Sequence, residues 1–163
     1  MAKEQHKTNA MRALDAAGAR YEARFFDCPE ALSGVEVARR LGIDEDRVFK
    51  TLVTATDKGE HCVFCVPVCS SLDLKRAAKA AGAKSVAMIK QRELEPLTGY
   101  VHGGCSPVGM KKRFRTFIDE SALSFPEIYV SAGRVGVQMR LSPQALAAFV
   151  GARFAHLASR EEK

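Results

Sequence analysis

The chain has 163 residues, 47% of them hydrophobic and 27% charged, with a net charge of +6. That length suits one domain with a real core, the composition excludes a disordered chain, and no apolar run approaches the roughly 18 residues of a membrane helix. The excess of cations suggests a polyanionic partner without naming one, and the opening Met1 to Lys7 has no apolar signal-peptide core behind it, so a soluble cytoplasmic protein is expected.

Thr8 to Ala17 reads as a short helix capped by Thr8, with Met11 and Leu14 on its apolar side and Gly18 at its end. Tyr21 to Phe26 reads as a strand broken by Cys28 and Pro29. Ser33 and Glu36 stand at capping-box spacing and open a helix through Arg40, closed by Gly42. Arg47 to Thr56 is rich in strand formers, and His61 to Val68 pairs with it across the turn at Asp57 to Glu60 as a hairpin. Ser71 to Asp73 starts a helix over Leu74 to Ala81, with Leu74, Ala77, Ala78 and Ala81 inward. Ser85 to Met88 is a short strand, and Lys90 to Leu94 a helical turn stopped by Pro96. Arg115 to Ile118, Glu127 to Ser131 and Val137 to Leu141 are three more strands. Ser142 and Pro143 open a last helix that ends at Gly151, and Phe154 to Leu157 is an apolar patch before a charged tail. These elements make one mixed α/β domain over residues 1–163, with about seven strands in a curved, mostly antiparallel, open barrel-like sheet and four or five flanking helices.

Two features go beyond architecture. Between Tyr100 and Arg113, three glycines, a serine and a proline fall within seven residues, directly before Lys111, Lys112 and Arg113. Such a segment continues neither helix nor strand; it is an ordinary tight turn or a loop that offers backbone amides to a ligand, with cations beside it. The second feature is Lys50, which period-two geometry places between Val48 and Leu52 on one strand face. A lysine there either snorkels to water from an edge or is aimed into a cleft.

The five cysteines are Cys28, Cys62, Cys65, Cys69 and Cys105. An odd count without a secretion signal argues against a disulfide framework. Cys62 and Cys65 have a metal-like spacing, but on a strand residues three apart point to opposite faces and cannot chelate one ion, so structural cysteines and no metal are expected.

Several motifs, in order, carry a resemblance: Lys7-Thr-Asn-Ala-Met11, Val48-Phe-Lys-Thr-Leu52, Leu72-Asp-Leu-Lys75, Thr98-Gly-Tyr100, Gly103-Gly-Cys-Ser-Pro107, Lys111-Lys112, Ile118-Asp119 and Tyr129-Val-Ser131. Together they resemble the YbaK family of aminoacyl-tRNA deacylases, close to the cysteinyl-tRNA(Pro) deacylases, over nearly the whole chain. The resemblance implies a curved, mostly antiparallel sheet with flanking helices. It also implies trans-editing hydrolysis of mischarged aminoacyl-tRNA, chiefly Cys-tRNA(Pro), alongside prolyl-tRNA synthetase and with no metal or organic cofactor. Another aminoacyl group such as alanine, or a non-catalytic module binding tRNA or the synthetase, is the alternative.

The resemblance makes Lys50 and Gly103 functional and implies that the substrate's own thiol attacks its ester. The residues agree with such chemistry, because an aminoacyl ester is already activated and needs orientation and an oxyanion donor. The amides of Gly103 and Gly104 are suited to the carbonyl oxygen, and Lys50 to the terminal ribose, a phosphate or the aminoacyl group. Thr51, Ser106, Pro107 and Gly133 are expected substrate contacts, with Ser106 a loop former rather than a nucleophile. Lys111, Lys112, Arg113 and Arg115 are expected to meet the tRNA backbone, against the alternative of a solvated charged face. Two departures stand out. Many members have a carboxylate where this chain has Gln138, so an electrostatic contact to an ammonium group is expected to be lost. The family's aromatic near the N-terminal strand falls at Phe25 or Phe26.

Overall fold

A computed structural model describes residues 7–27 and 32–160. The opening residues, Cys28, Pro29 and the end of the charged tail lie outside the described residues, so the expectations placed on them are not addressed by it.

Five helices form: α1 (Asn9–Ala16), α2 (Gly34–Leu41), α3 (Leu74–Ala81), α4 (Gln91–Thr98) and α5 (Pro143–Val150). Their ends follow local chemistry. The Thr8 hydroxyl accepts the Met11 amide at the start of α1, and Ser33 and Glu36 close a reciprocal capping box on α2. Asp73 caps α3 through the amides of Lys75 and Arg76. Ala77, Ala78 and Ala81 of α3 face inward, but Leu74 is exposed although it shares their stripe, because it is the first residue beyond the cap and sits at the end of that stripe. Helix α4 continues through Pro96 to Thr98 rather than stopping before it. Proline there removes one bond near the end of a short, exposed helix, and Gly99 in the left-handed region closes it three residues after the expected break at Pro96.

Ten strands form among the described residues, three more than the sequence pattern suggests. Strands β1 (Glu22–Phe25), β8 (Val137–Leu141) and β7 (Ile128–Arg134) make an antiparallel sheet in the order β1-β8-β7. The larger sheet has the order β5-β2-β3-β6-β9, built from β5 (Val86–Met88), β2 (Phe49–Thr56), β3 (His61–Pro67), β6 (Arg115–Asp119) and β9 (Arg153–Ala155). Its β5-β2-β3 part is antiparallel, whereas β3-β6 and β6-β9 are parallel. Strands β4 (Ser70–Leu72) and β10 (Ala158–Arg160) pair separately. The sheets do not close into a barrel; the nearest approach is a single parallel bridge between Val48 and Tyr129.

Strand β3 is the spine. It is buried throughout apart from its first residue, and its faces serve different cores. Cys65 packs with Ile118, Val130 and Met139 beneath the small sheet, while Cys62 packs with Phe64, Val66 and Phe117 under α3. The two thiols therefore belong to separate clusters, as alternation along a strand requires. Among the described residues no group of three metal-ligating side chains forms, and no helix is long and apolar enough to cross a membrane.

Candidate active site

The start of β2 opens a cavity. Val48, Phe49, Lys50, Thr51 and Leu52 line it on one side, and Ser33, Gly34 and Val37 from α2 approach from another. His102, Gly103 and Cys105 come from the loop after α4, and Ser131 and Gln138 from the β7-β8 pair. The cavity is partly open, with a volume of about 220 Å³, room for a small aminoacyl group. Lys50, half-buried, and Gly103, in the left-handed region at φ 89°, reach this cavity from distant parts of the chain.

The loop that presents Gly103 is held from behind by Tyr100. The Tyr100 hydroxyl, buried, donates to the Val108 carbonyl at 2.6 Å, and burial raises its pKa to about 12. Gly133 must lack a side chain, since a Cβ there would lie 2.9 Å from Cε1 of the Tyr100 ring. Gly104 is constrained more tightly: its Cβ would meet the backbone nitrogen of Val135 at 2.9 Å, so the loop packs directly against the β7-β8 turn.

This packing revises several expected roles. The Gly104 amide donates to the Val101 carbonyl at 3.0 Å and is committed to a turn, so it is not an oxyanion donor in this arrangement. Ser106 is wholly buried, and its Oγ accepts the Val108 amide at 3.2 Å. Pro107 lines a different groove, and Gly133 backs the Tyr100 ring. None of these four is among the described residues lining the cavity; Lys50, Thr51 and Gly103 are. Phe25 likewise packs into the core beside the small sheet.

Sequence reasoning left Ser131, Cys105 and His102 out of the site. Ser131 faces Gln138 across β7-β8, and its Oγ accepts the Gly133 amide at 3.2 Å. The signal for Ser131 was present, since it ends the Tyr129-Val-Ser131 motif. Cys105 is nine-tenths buried, and burial pushes its thiol up to about 12, so it is neutral at pH 7. Cys65, behind Thr51, is also pushed up to about 12 by burial. Gln138 is 8% exposed, and its side-chain oxygen has no hydrogen-bond partner among the described residues.

The cations divide into two groups. Lys111, Lys112 and Arg113 are exposed and edge a second groove with Met110, Phe114 and Phe149. Lys111 also donates to the Pro96 carbonyl at 3.2 Å. Arg115 does not join them. It pairs with Glu60 at 2.8 Å, donates to the Ala81 carbonyl at 2.8 Å and lies over the Phe117 ring, committed to the outside of the large sheet.

A mixed α/β fold with a small cavity lined by a lysine and a glycine-rich loop defines a class, and the comparisons agree on it. The model of the aminoacyl-tRNA editing domain family matches residues 28–149, and the chain belongs to that family. Over 160 residues it is 44% identical to EbsC of Enterococcus faecalis (strain ATCC 700802 / V583), named as a candidate Cys-tRNA(Pro)/Cys-tRNA(Cys) deacylase, with 98% of each chain covered. It is 34% identical over 83 residues to a proline-tRNA ligase of Shouchella clausii (strain KSM-K16), covering 51% of this chain and 14% of the ligase. The crystal structure of a candidate trans-editing enzyme for prolyl-tRNA synthetase matches at a TM-score of 0.83 and 27% identity, covering 93% of this chain and 95% of that one.

Proposed function

We propose that this protein is a trans-editing deacylase that cleaves the ester of mischarged aminoacyl-tRNA, with Cys-tRNA(Pro) as its first substrate and prolyl-tRNA synthetase as its associate. The observation that carries the reading is the meeting of Lys50 and Gly103 at one cavity of aminoacyl size. The family and the similarity to EbsC support the substrate. The partial match to a proline-tRNA ligase and the structural match to the trans-editing enzyme support the association.

In this reading the aminoacyl group enters the cavity and the terminal ribose stays at its mouth. Lys50 holds the ribose or the ester end, Thr51 contacts the aminoacyl group beside it, and the Gly103 amide meets the carbonyl oxygen as it gains negative charge. The protein supplies no nucleophile: Ser106 is wholly buried and Cys105 is a neutral thiol. With a cysteinyl ester, the substrate sulfur bonds to its own carbonyl carbon, the ester C–O bond breaks, the thiol proton passes to the departing ribose oxygen, and water then opens the resulting thiolactone to free cysteine. Lys112 and Arg113, with Lys111, take phosphates of the acceptor strand. The test is release of labelled amino acid from a panel of mischarged tRNAs by purified protein. Release from Cys-tRNA(Pro) well above that from correctly charged Pro-tRNA(Pro) is expected; equal and negligible release from every member of the panel would end the reading.

A further inference from the structure

The second groove differs in chemistry from the cavity. Lys111, Lys112 and Arg113 stand exposed along it, while Met110, Phe114 and Phe149, each half-buried, form apolar walls. It is partly open, with a volume of about 320 Å³, and no acidic side chain is among the described residues that line it. One loop walls both sites: Cys105 lines the cavity and Pro107 the groove. Two residues of chain separate their Cα atoms by at most about 7 Å.

A nucleic-acid duplex offers phosphates to cations and keeps its bases stacked inside, so it would leave these apolar walls uncovered. An unpaired nucleotide brings a phosphate and the flat apolar face of a base to the same place, which is what cations beside aromatic rings accommodate. Both rings are fixed before anything binds. Phe149 packs against the core from the end of α5, and Phe114 meets the His61 ring edge-on, with centroids 6.0 Å apart. Little ordering is left for a ligand to impose. Resting on the deacylase reading, the strand to look for is the one whose last ribose carries the ester at the cavity. We infer that the groove takes an unpaired base of the tRNA 3′ end, from a nucleotide shortly before the esterified one. The base stacks on the aromatic wall while Lys112 and Arg113 hold the phosphates beside it.

The test measures binding of RNA hairpins to the full chain, all with the same duplex and most with a single-stranded 3′ end that finishes in a free hydroxyl. One probe is intact. The others lack one base each, in turn along the single-stranded end, with every phosphate kept. For wild type, loss of the base at one position before the terminal nucleotide is expected to weaken binding about ten-fold. Phe149→Leu keeps apolar volume in the wall and loses the flat face. It should bind the intact probe about as weakly as wild type binds that abasic one, and lose little more when the base is removed. Its slope of log affinity against log salt should match wild type, because no phosphate contact has gone. A Phe149 that only packs the fold would instead lower the melting temperature and leave the ten-fold difference between the probes in place, which contradicts the inference. Wild type needs no variant to decide the matter: equal binding of the intact and every abasic probe, or a blunt-ended hairpin bound as tightly as the intact one, overturns it. Deacylation of Cys-tRNA(Pro) is measured in parallel. If it persists while all probes bind alike, this inference falls alone; if it is absent, the deacylase reading falls, and the base dependence still decides whether the groove takes a base.

Discussion

Ser106 shows how a residue's neighbours decide between chemistry and scaffolding. A serine between glycines and a proline in a functional loop invites a nucleophilic role, yet its hydroxyl is buried and spent on the Val108 amide. Ser106→Ala is expected to lower stability by about 1 kcal/mol, the worth of one such bond, and to leave deacylation near wild type; thermal melts and single-turnover rates check both. A trapped aminoacyl-enzyme on Ser106 would contradict this. At this scale the site was half legible. Lys50 betrays itself as a cation inside an apolar strand pattern, and Gly103 as part of a dense glycine loop. Gly104 and Gly133 carry the same outward signature as Gly103, but what they approach is the Val135 backbone and the Tyr100 ring, and no local pattern reveals a contact with a residue distant in the chain.

Among the elements, the glycine loop and the β7-β8 turn behave as one unit because backbone meets backbone at Gly104. Gly104→Ala must displace one of them, and a destabilisation of about 1–3 kcal/mol is expected, measurable as a lower urea midpoint; an unchanged midpoint would mean the turn yields freely. Asp119, at the end of β6, ties down the C-terminal segment: its carboxylate accepts the amides of Leu157, Ala158 and Ser121. Burial pushes its pKa up, but these hydrogen bonds together outweigh burial and hold it below the ordinary carboxylate value. A depressed folded pKa means the contribution is fully present above the unfolded value of about 3.9 and is lost as pH falls through the folded value. Wild type should therefore lose stability below about pH 4 more steeply than Asp119→Asn, and parallel pH profiles of the two would refute it.

The same segment explains where the fold was hard to read. Capped helices and the hairpin were legible because their signals are local: Thr8, the Ser33–Glu36 box, Asp73, and the turn at Asp57 to Glu60. Strands β4, β9 and β10 are three residues each, too short for a period, and exist only through distant partners. The parallel joins of β3 to β6 and β6 to β9 are long-range choices of the same kind.

Across the whole molecule, the proposed function divides labour between a small cavity for the amino acid and an exposed cationic edge for the nucleic acid. Lys111 is partly engaged by the Pro96 carbonyl, so Lys112 and Arg113 are the cleaner probes. Replacing both with alanine should reduce the slope of log affinity for tRNA against log salt by about 1.5–2, two phosphate contacts' worth. An unchanged slope would make this edge a solvated face. The central claim, however, is that Lys50 acts on substrate and not on the fold. It is tested most directly by measuring, on the same preparations, single-turnover deacylation of Cys-tRNA(Pro) and the melting temperature for wild type and Lys50→Ala. The expected result is a rate loss of about a hundred-fold or more, the usual scale for removing a group that stabilises the transition state, with the melting temperature unchanged. A Lys50→Ala protein that deacylates at the wild-type rate, or that loses activity only in step with its stability, would contradict it.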